Sequence, residues 1–218
     1  TNRFTTLPTL PSSLKILDVK NGMITGAFDL PANLESANCG RNGFTSVGNL
    51  PFSLIDFYIY ENQINSLPTL PASLKTLSCG NNPMTSPLPV LPDSLETLSA
   101  YQCNLSVAPL LGSNLNTIDL RHNQLTTIDS FPLSATIIDI SENLLTTLPN
   151  IPENVRRLYV SNNLLTSIPY IPDSINTFHF DHNQITTIDS IPKYCSLIIG
   201  SYNQISILPN LPSYSRLY

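Results

Sequence analysis

Residues Leu115 to Ile128 read LNTIDLRHNQLTTI, and this stretch decides the fold. Leu115, Ile118, Leu120 and Leu125 are its apolar positions, with Asn123 between the last two. The spacing is L-x-x-L-x-L-x-x-N-x-L. Counting the first Leu as slot one, the Asn is slot nine. The same slot falls at Asn2, Gly22, Asn42, Asn62, Asn82, Cys103, Asn123, Asn143, Asn163, Asn183 and Asn203. Successive steps are 20 residues, except for 21 between Asn82 and Cys103.

A second column runs in step with the first. Four residues before slot one comes an apolar-Pro pair, as in Leu30-Pro31, Leu70-Pro71, Ile151-Pro152 and Leu211-Pro212; Leu111-Gly112 breaks the column. Apolar side chains at slots four and six alternate with polar ones, the period of a strand with one buried face. A strand every twenty residues implies parallel stacking into one sheet, with the chain returning behind it. The recurrent Pro fixes φ and favours extended geometry, leaving no room for a helix on the return path. The Asn side chain carries two donors and an acceptor, suited to backbone groups released where the strand ends.

The run L-P-x-L-P-x-S-L-x-x-L followed by N-x-L-T-S-L-P resembles the short bacterial class of leucine-rich repeat. It is similar to the repeat arrays of type III secreted effectors. Residues 70–86, LPASLKTLSCGNNPMTS, carry the pattern well. The resemblance implies a curved, right-handed solenoid with a parallel β-sheet on its concave face, an extended convex side and almost no α-helix. The expected organisation is a single array over residues 1–218, with ten complete strand repeats and a partial repeat at each end. Both ends cut through a repeat, so the chain is expected to be a piece of a longer array, or to make end-to-end contacts with other copies.

Charged residues make up only 11% of the chain, against about 25% in an average soluble protein. A net charge of −5 without any Lys/Arg run argues against nucleic acid or an anionic membrane as partner. No apolar run approaches the roughly 20 residues of a membrane-spanning helix. Cys39 and Cys79 share slot six two repeats apart, about 10 Å by strand spacing, beyond the roughly 7 Å that a disulfide allows. Cys103 replaces a slot-nine Asn and Cys195 stands at slot one. All four therefore read as buried thiols without partners. The extra residue is expected in the segment from Pro87 to Val90, as a loop away from the strands. The first complete repeat has Gly22 at slot nine and an exit, GAFD, without the usual L-P, so it is expected to be less regular.

Slots five, seven and eight should project from the concave face, the binding surface of such arrays. They form a tyrosine-rich zone, Tyr58, Tyr60 and Tyr101 with Arg41 and Glu61 nearby, in which Ser78 and Gly80 should leave a shallow depression. A second zone is mixed and polar: Asp119, Arg121, His122, Asp139, Glu142, Tyr159, His179, Asp181, His182 and Tyr202. Rigid Tyr and Arg side chains are what binding hot spots are made of. The expected partner is a protein, or a glycan, held preferentially on the tyrosine zone rather than on the Thr edge that follows each strand. No cofactor is implied. His122 should lie three strands from His179, about 14 Å, too far for a shared metal ion. The sequence therefore reads as a non-catalytic recognition or structural solenoid from a secreted or cell-surface adhesin or fibre-type protein. The alternative is the ligand-binding part of an effector delivered into host cells.

Overall fold

The computed structural model describes residues 5–207 and the backbone of residues 216–217. Asn2 and the Leu211-Pro212 pair lie outside the described residues. The chain divides into two compact units, residues 1–105 and 106–218. Each is built from repeating turns, every one giving a short parallel strand to the main sheet, the leucine-rich-repeat solenoid. The described residues contain no helix.

In the first unit the strands are β1 (Ile16–Asp18), β2 (Thr25–Phe28), β3 (Ser36–Asn38), β4 (Gly43–Val47), β5 (Asp56–Tyr58), β6 (Thr76–Ser78) and β7 (Thr97–Ser99). β1, β3, β5, β6 and β7 pair in that order, all parallel, each slot opposite the same slot of its neighbour. Leu77 faces Leu98, a step of 21, so the strands keep their register across the insertion. The extra residue is absorbed in the segment ending at Val90, which is 88% exposed. The second unit repeats the arrangement with β8 (Thr117–Asp119), β9 (Ile137–Asp139), β10 (Arg157–Tyr159), β11 (Thr177–His179), β12 (Leu197–Ile199) and β13 (Arg216–Leu217).

Slots one, four, six and eleven build the core. Leu54, Phe57, Ile59 and Ile64 of the third repeat are all fully buried. Each such side chain contributes roughly 1.5–3 kcal/mol relative to exposure. The Pro of the return path opens a tight turn whose carbonyl accepts the slot-one N–H, as in Leu54 to Pro51 and Val155 to Pro152, both 3.1 Å. Where Pro is missing, Gly112 serves instead, accepting from Leu115 N–H at 3.2 Å.

The slot-nine amides hold the turns together. Asn62 Nδ2 donates to the carbonyls of Ile59 (3.0 Å), Tyr60 (3.2 Å) and, in the preceding repeat, Cys39 (3.0 Å). Its Oδ1 accepts from the preceding repeat's Phe44 N–H at 3.0 Å. Asn143, Asn163 and Asn183 make the same four bonds. Asn42, Asn82 and Asn203 likewise bond to both their own and the preceding repeat. Asn62, Asn82, Asn123, Asn143, Asn163 and Asn183 are buried, and Asn123 Nδ2 donates to Leu120 O at 2.9 Å.

The return path departs from the expected extended form at one place. β2 and β4 form a small parallel sheet behind the first two complete repeats, with an irregularity between Gly26 and Ala27. Several later exits carry a proline six residues past slot nine, as at Pro68, Pro149 and Pro169, whereas these two have Phe28 and Gly48. Gly48 can therefore donate its N–H to Phe28 O at 2.9 Å, a bond that proline would forbid. Phe28 of β2 and Phe44 of β4 are buried against each other, with ring centroids 4.1 Å apart.

Candidate functional site

The sheet's outer face is set by a backbone device that the sequence pattern does not announce. Slot eight is left-handed throughout the described residues: Asn21, Arg41, Glu61, Asn81, Gln102, His122, Glu142, Asn162, His182 and Tyr202 all have φ between 52° and 56°. Only three of these are Asn, which tolerates that region. A non-glycine residue there costs about 1–2 kcal/mol, and the amide bonds just behind it, at slot nine, hold it in place. The chain thereby leaves the strand with slots five, seven and eight on one side.

In the first unit, slot seven reads Lys20, Gly40, Tyr60, Gly80, Tyr101. The Tyr60 ring lies back over Gly40, and the Tyr101 ring over Gly80, so closely that a methyl group on either glycine would collide with the ring. Gly80 is therefore no depression, as its small size suggests in the sequence; Tyr101 covers it. Tyr58, Tyr60 and Tyr101 are all partly exposed. Arg41 stands over the Tyr60 ring, Cζ 6.0 Å from its centroid, and pairs through Nε with Glu61 at 3.1 Å. The two charges compensate and leave a largely neutral aromatic surface.

The second unit carries a different surface. Asp119 and Asp139 face each other on neighbouring strands, where like charges repel. Arg121 bridges them, 3.7 Å from Asp119 and 3.5 Å from Asp139. His122 pairs with Glu142 at 2.7 Å instead of joining the other histidines. Tyr159 meets His179 edge-on at 4.9 Å, and His182 stacks on Tyr202 at 4.3 Å. His179 is half-buried, with Nε2 shut off from solvent and unpartnered. Burial holds its pKa below the ordinary histidine value, against the opposing pull of Asp181 and Asp139. For Asp181, burial works upward, but hydrogen bonds from Ser161 and His182 outweigh it and leave the carboxyl below its ordinary value.

Ser161, Asp181 and His182 are hydrogen-bonded in a row. The carboxylate lies in the middle, so the imidazole is not placed to take a proton from the hydroxyl, as a catalytic triad requires. Among the described residues, no three His, Cys, Asp or Glu side chains are grouped to hold one metal ion. Nor is any helix among them long and apolar enough to cross a membrane.

The nine residues singled out in the sequence thus fall into two groups: Tyr58, Tyr60 and Tyr101 in the first unit, and Arg121, His122, Tyr159, His179, Asp181 and Tyr202 in the second. Sequence reasoning missed the glycine seats, although the Gly-Tyr alternation at slot seven was the available signal. It also missed Ser161 as partner of Asp181, although the two share slot seven of adjacent repeats, 20 residues apart. The thiols are all buried, as expected, and burial pushes Cys39 up to about 12 and Cys195 to about 11. Cys103, however, has a partner: its thiol donates to the Cys79 carbonyl at 3.2 Å and its side chain interacts with that of Cys79.

The family model for the leucine-rich repeat matches residues 114–135. No curated protein sequence matches the chain. Among solved structures, YopM from Yersinia enterocolitica WA-314 is 28% identical, with a TM-score of 0.91 over 99% of this chain and 53% of that one. The chain therefore spans about half the length of that protein. YopM from Yersinia pestis, described as a leucine-rich effector protein, is 24% identical, with a TM-score of 0.65 over 99% of this chain and 80% of its own. The functional domain of InlJ from Listeria monocytogenes is 21% identical, with a TM-score of 0.81 over 89% of this chain and 46% of that one. At those identities the last two share the fold.

Proposed function

We propose that this chain, a leucine-rich-repeat solenoid of the short bacterial class, is a non-catalytic recognition module that holds a protein partner on the concave side of its sheet. The observation that carries this reading is the seating of Tyr60 and Tyr101 on Gly40 and Gly80. A ring laid on a glycine loses its rotamer freedom before any partner arrives. Binding then costs less ordering entropy, and the ring still offers a broad apolar surface. Tyr58 beside them, and the compensated Arg41–Glu61 pair, complete a patch with few charges to desolvate.

The low charge of the chain supports a secreted or cell-surface protein of adhesin or fibre type. A second reading is supported by the likeness to YopM: the recognition part of an effector delivered into host cells. Their partners come from different compartments, extracellular in one case and host-cytosolic in the other. Hydroxyl-radical footprinting of the immobilised chain, with and without a partner captured from each source, tests the site. The reading expects Tyr58, Tyr60 and Tyr101 to be protected, while Phe52, 92% exposed on the return path, stays reactive. Protection at Phe52 with the tyrosines unchanged would move the interface elsewhere.

A further inference from the structure

Cys103 occupies a position where its neighbours have an amide, and the loss can be followed bond by bond. Asn82, one repeat earlier, donates to Ile59 O and Cys79 O, both at 2.9 Å, and accepts from Ile64 N–H at 3.0 Å. A thiol reproduces part of the donation: Cys103 Sγ lies 3.2 Å from Cys79 O. It offers no comparable oxygen to the N–H of Met84, which turns back to Asn82 O at 2.8 Å. Asn104, just beyond, takes a left-handed φ of 56° that no other described slot-ten residue adopts. The rung between the fourth and fifth repeats is therefore the altered one, and it coincides with the 21-residue step.

The substitution brings two thiols together in the same place. Cys79 points into the core from slot six of the fourth repeat, and Cys103 enters from slot nine of the fifth. Cys103 Sγ donates to Cys79 O at 3.2 Å, the two side chains interact, and both are fully buried. The strand register, Leu77 opposite Leu98, fixes the approach. Cys39 lies two repeats from Cys79 at the same slot, and Cys195 belongs to the other unit.

We propose that Cys79 and Cys103 form a redox pair that closes into an inter-repeat disulfide under oxidising conditions, replacing the missing amide rung with a covalent one. One thiol loses its proton to solvent, and the thiolate attacks a small disulfide such as oxidised glutathione, releasing one glutathione thiolate. The second cysteine, deprotonated in turn, displaces the other glutathione, and the sulfur–sulfur bond forms. Two protein thiols are oxidised and one glutathione disulfide is reduced to two thiols. The neighbouring Cys103 side chain and burial hold Cys79 well above the usual thiol range, so thiolate is scarce in the closed fold. Closure accordingly proceeds during folding or local opening, and is slow in the intact native state.

The test compares the reduced full chain, refolded with and without a glutathione redox couple, with the Cys103→Asn variant, which restores the repeat's own residue. In the wild type, thiol counting in denaturant should fall from four to two. Peptide mapping should recover a cross-link between Cys79 and Cys103, and Tm should rise by several degrees and return with dithiothreitol. Cys103→Asn should fold, keep all of its remaining thiols under the same couple, and show no Tm response. Retention of all four wild-type thiols, a single glutathione adduct without a cross-link, or a cross-link to Cys39 or Cys195 would each overturn the proposal.

Discussion

In the first unit the slot-seven column reads Lys20, Gly40, Tyr60, Gly80, Tyr101; in the second it reads Arg121, Ser141, Ser161, Asp181, Ser201. Behind these columns the backbone is the same. Slot eight is left-handed in both units, and buried amides hand hydrogen bonds from one repeat to the preceding one in both. One surface lays aromatic rings on bare backbone; the other ties carboxylates to Arg, Ser and His. The difference teaches that slots one, four, six, nine and eleven maintain the coil, while slots five, seven and eight can change chemistry without disturbing it.

The largest effect should come from attacking what the units share. Asn143→Ala removes bonds to Leu120, Ile140, Ser141 and Leu125 and leaves those backbone groups buried. Urea denaturation should show a loss of roughly 3 kcal/mol, the upper end for unpaired buried groups. Asn203→Ala, at a partly exposed rung, should lose less. Equal losses would mean that burial does not set the strength of the ladder.

A smaller change strikes only the first unit. Gly80→Ala puts a methyl group into the Tyr101 ring. It should cost about 1–2 kcal/mol, the scale of overpacking, and alter tyrosine fluorescence as the ring is displaced. Ser141→Ala, the same slot in the second unit, places no new bulk against a ring and should leave that signal unchanged.

Acid should distinguish the second unit. His179 stays neutral in the fold below the pH at which the unfolded ring, near 6.5, takes up its proton. Stability should therefore fall as pH drops through that value and level off once the folded ring titrates. Asp181 contributes stability above the unfolded carboxyl value, near 3.9, and this contribution is lost as pH falls through its lower folded value. His179→Phe should abolish the first phase and spare the second, measured as urea midpoint against pH. An unaltered first phase would assign it to other groups.

The smallest effect is a gain. Gln102 is exposed and left-handed, with φ of 52°. Gln102→Gly should stabilise by roughly 0.5 kcal/mol, because relief of the left-handed penalty exceeds glycine's added chain entropy. Gln102→Ala, which keeps the penalty, should not.

The coil was legible in the sequence because its columns are steric requirements. A strand with one buried face needs alternation, and the bend after it needs an amide. Slot-four positions such as Ile118 and Ile138, and rungs such as Asn143, therefore declare themselves. The left-handed slot was nearly hidden, since Arg41, Glu61 and Tyr202 occupy it without being asked for by their own preferences. The β2–β4 sheet was hidden too, because it depends on the absence of proline at two consecutive exits. At the surface, the tyrosines could be found by slot, whereas their seats needed two repeats to be read together. The Cys79–Cys103 contact escaped for the same reason: slots six and nine of adjacent repeats are far apart in register and close in space.

The claim that the tyrosine face is the binding surface is tested most directly by titrating a captured partner against three forms of the chain while following Tm. These are the wild type, Tyr58→Ala/Tyr60→Ala, and the edge variant Thr146→Ala/Thr147→Ala. The tyrosine pair should weaken binding by a few kcal/mol, the hot-spot range, while the edge variant should bind as the wild type does and all three should fold. Unchanged affinity in the tyrosine variant, with its Tm preserved, would contradict the claim.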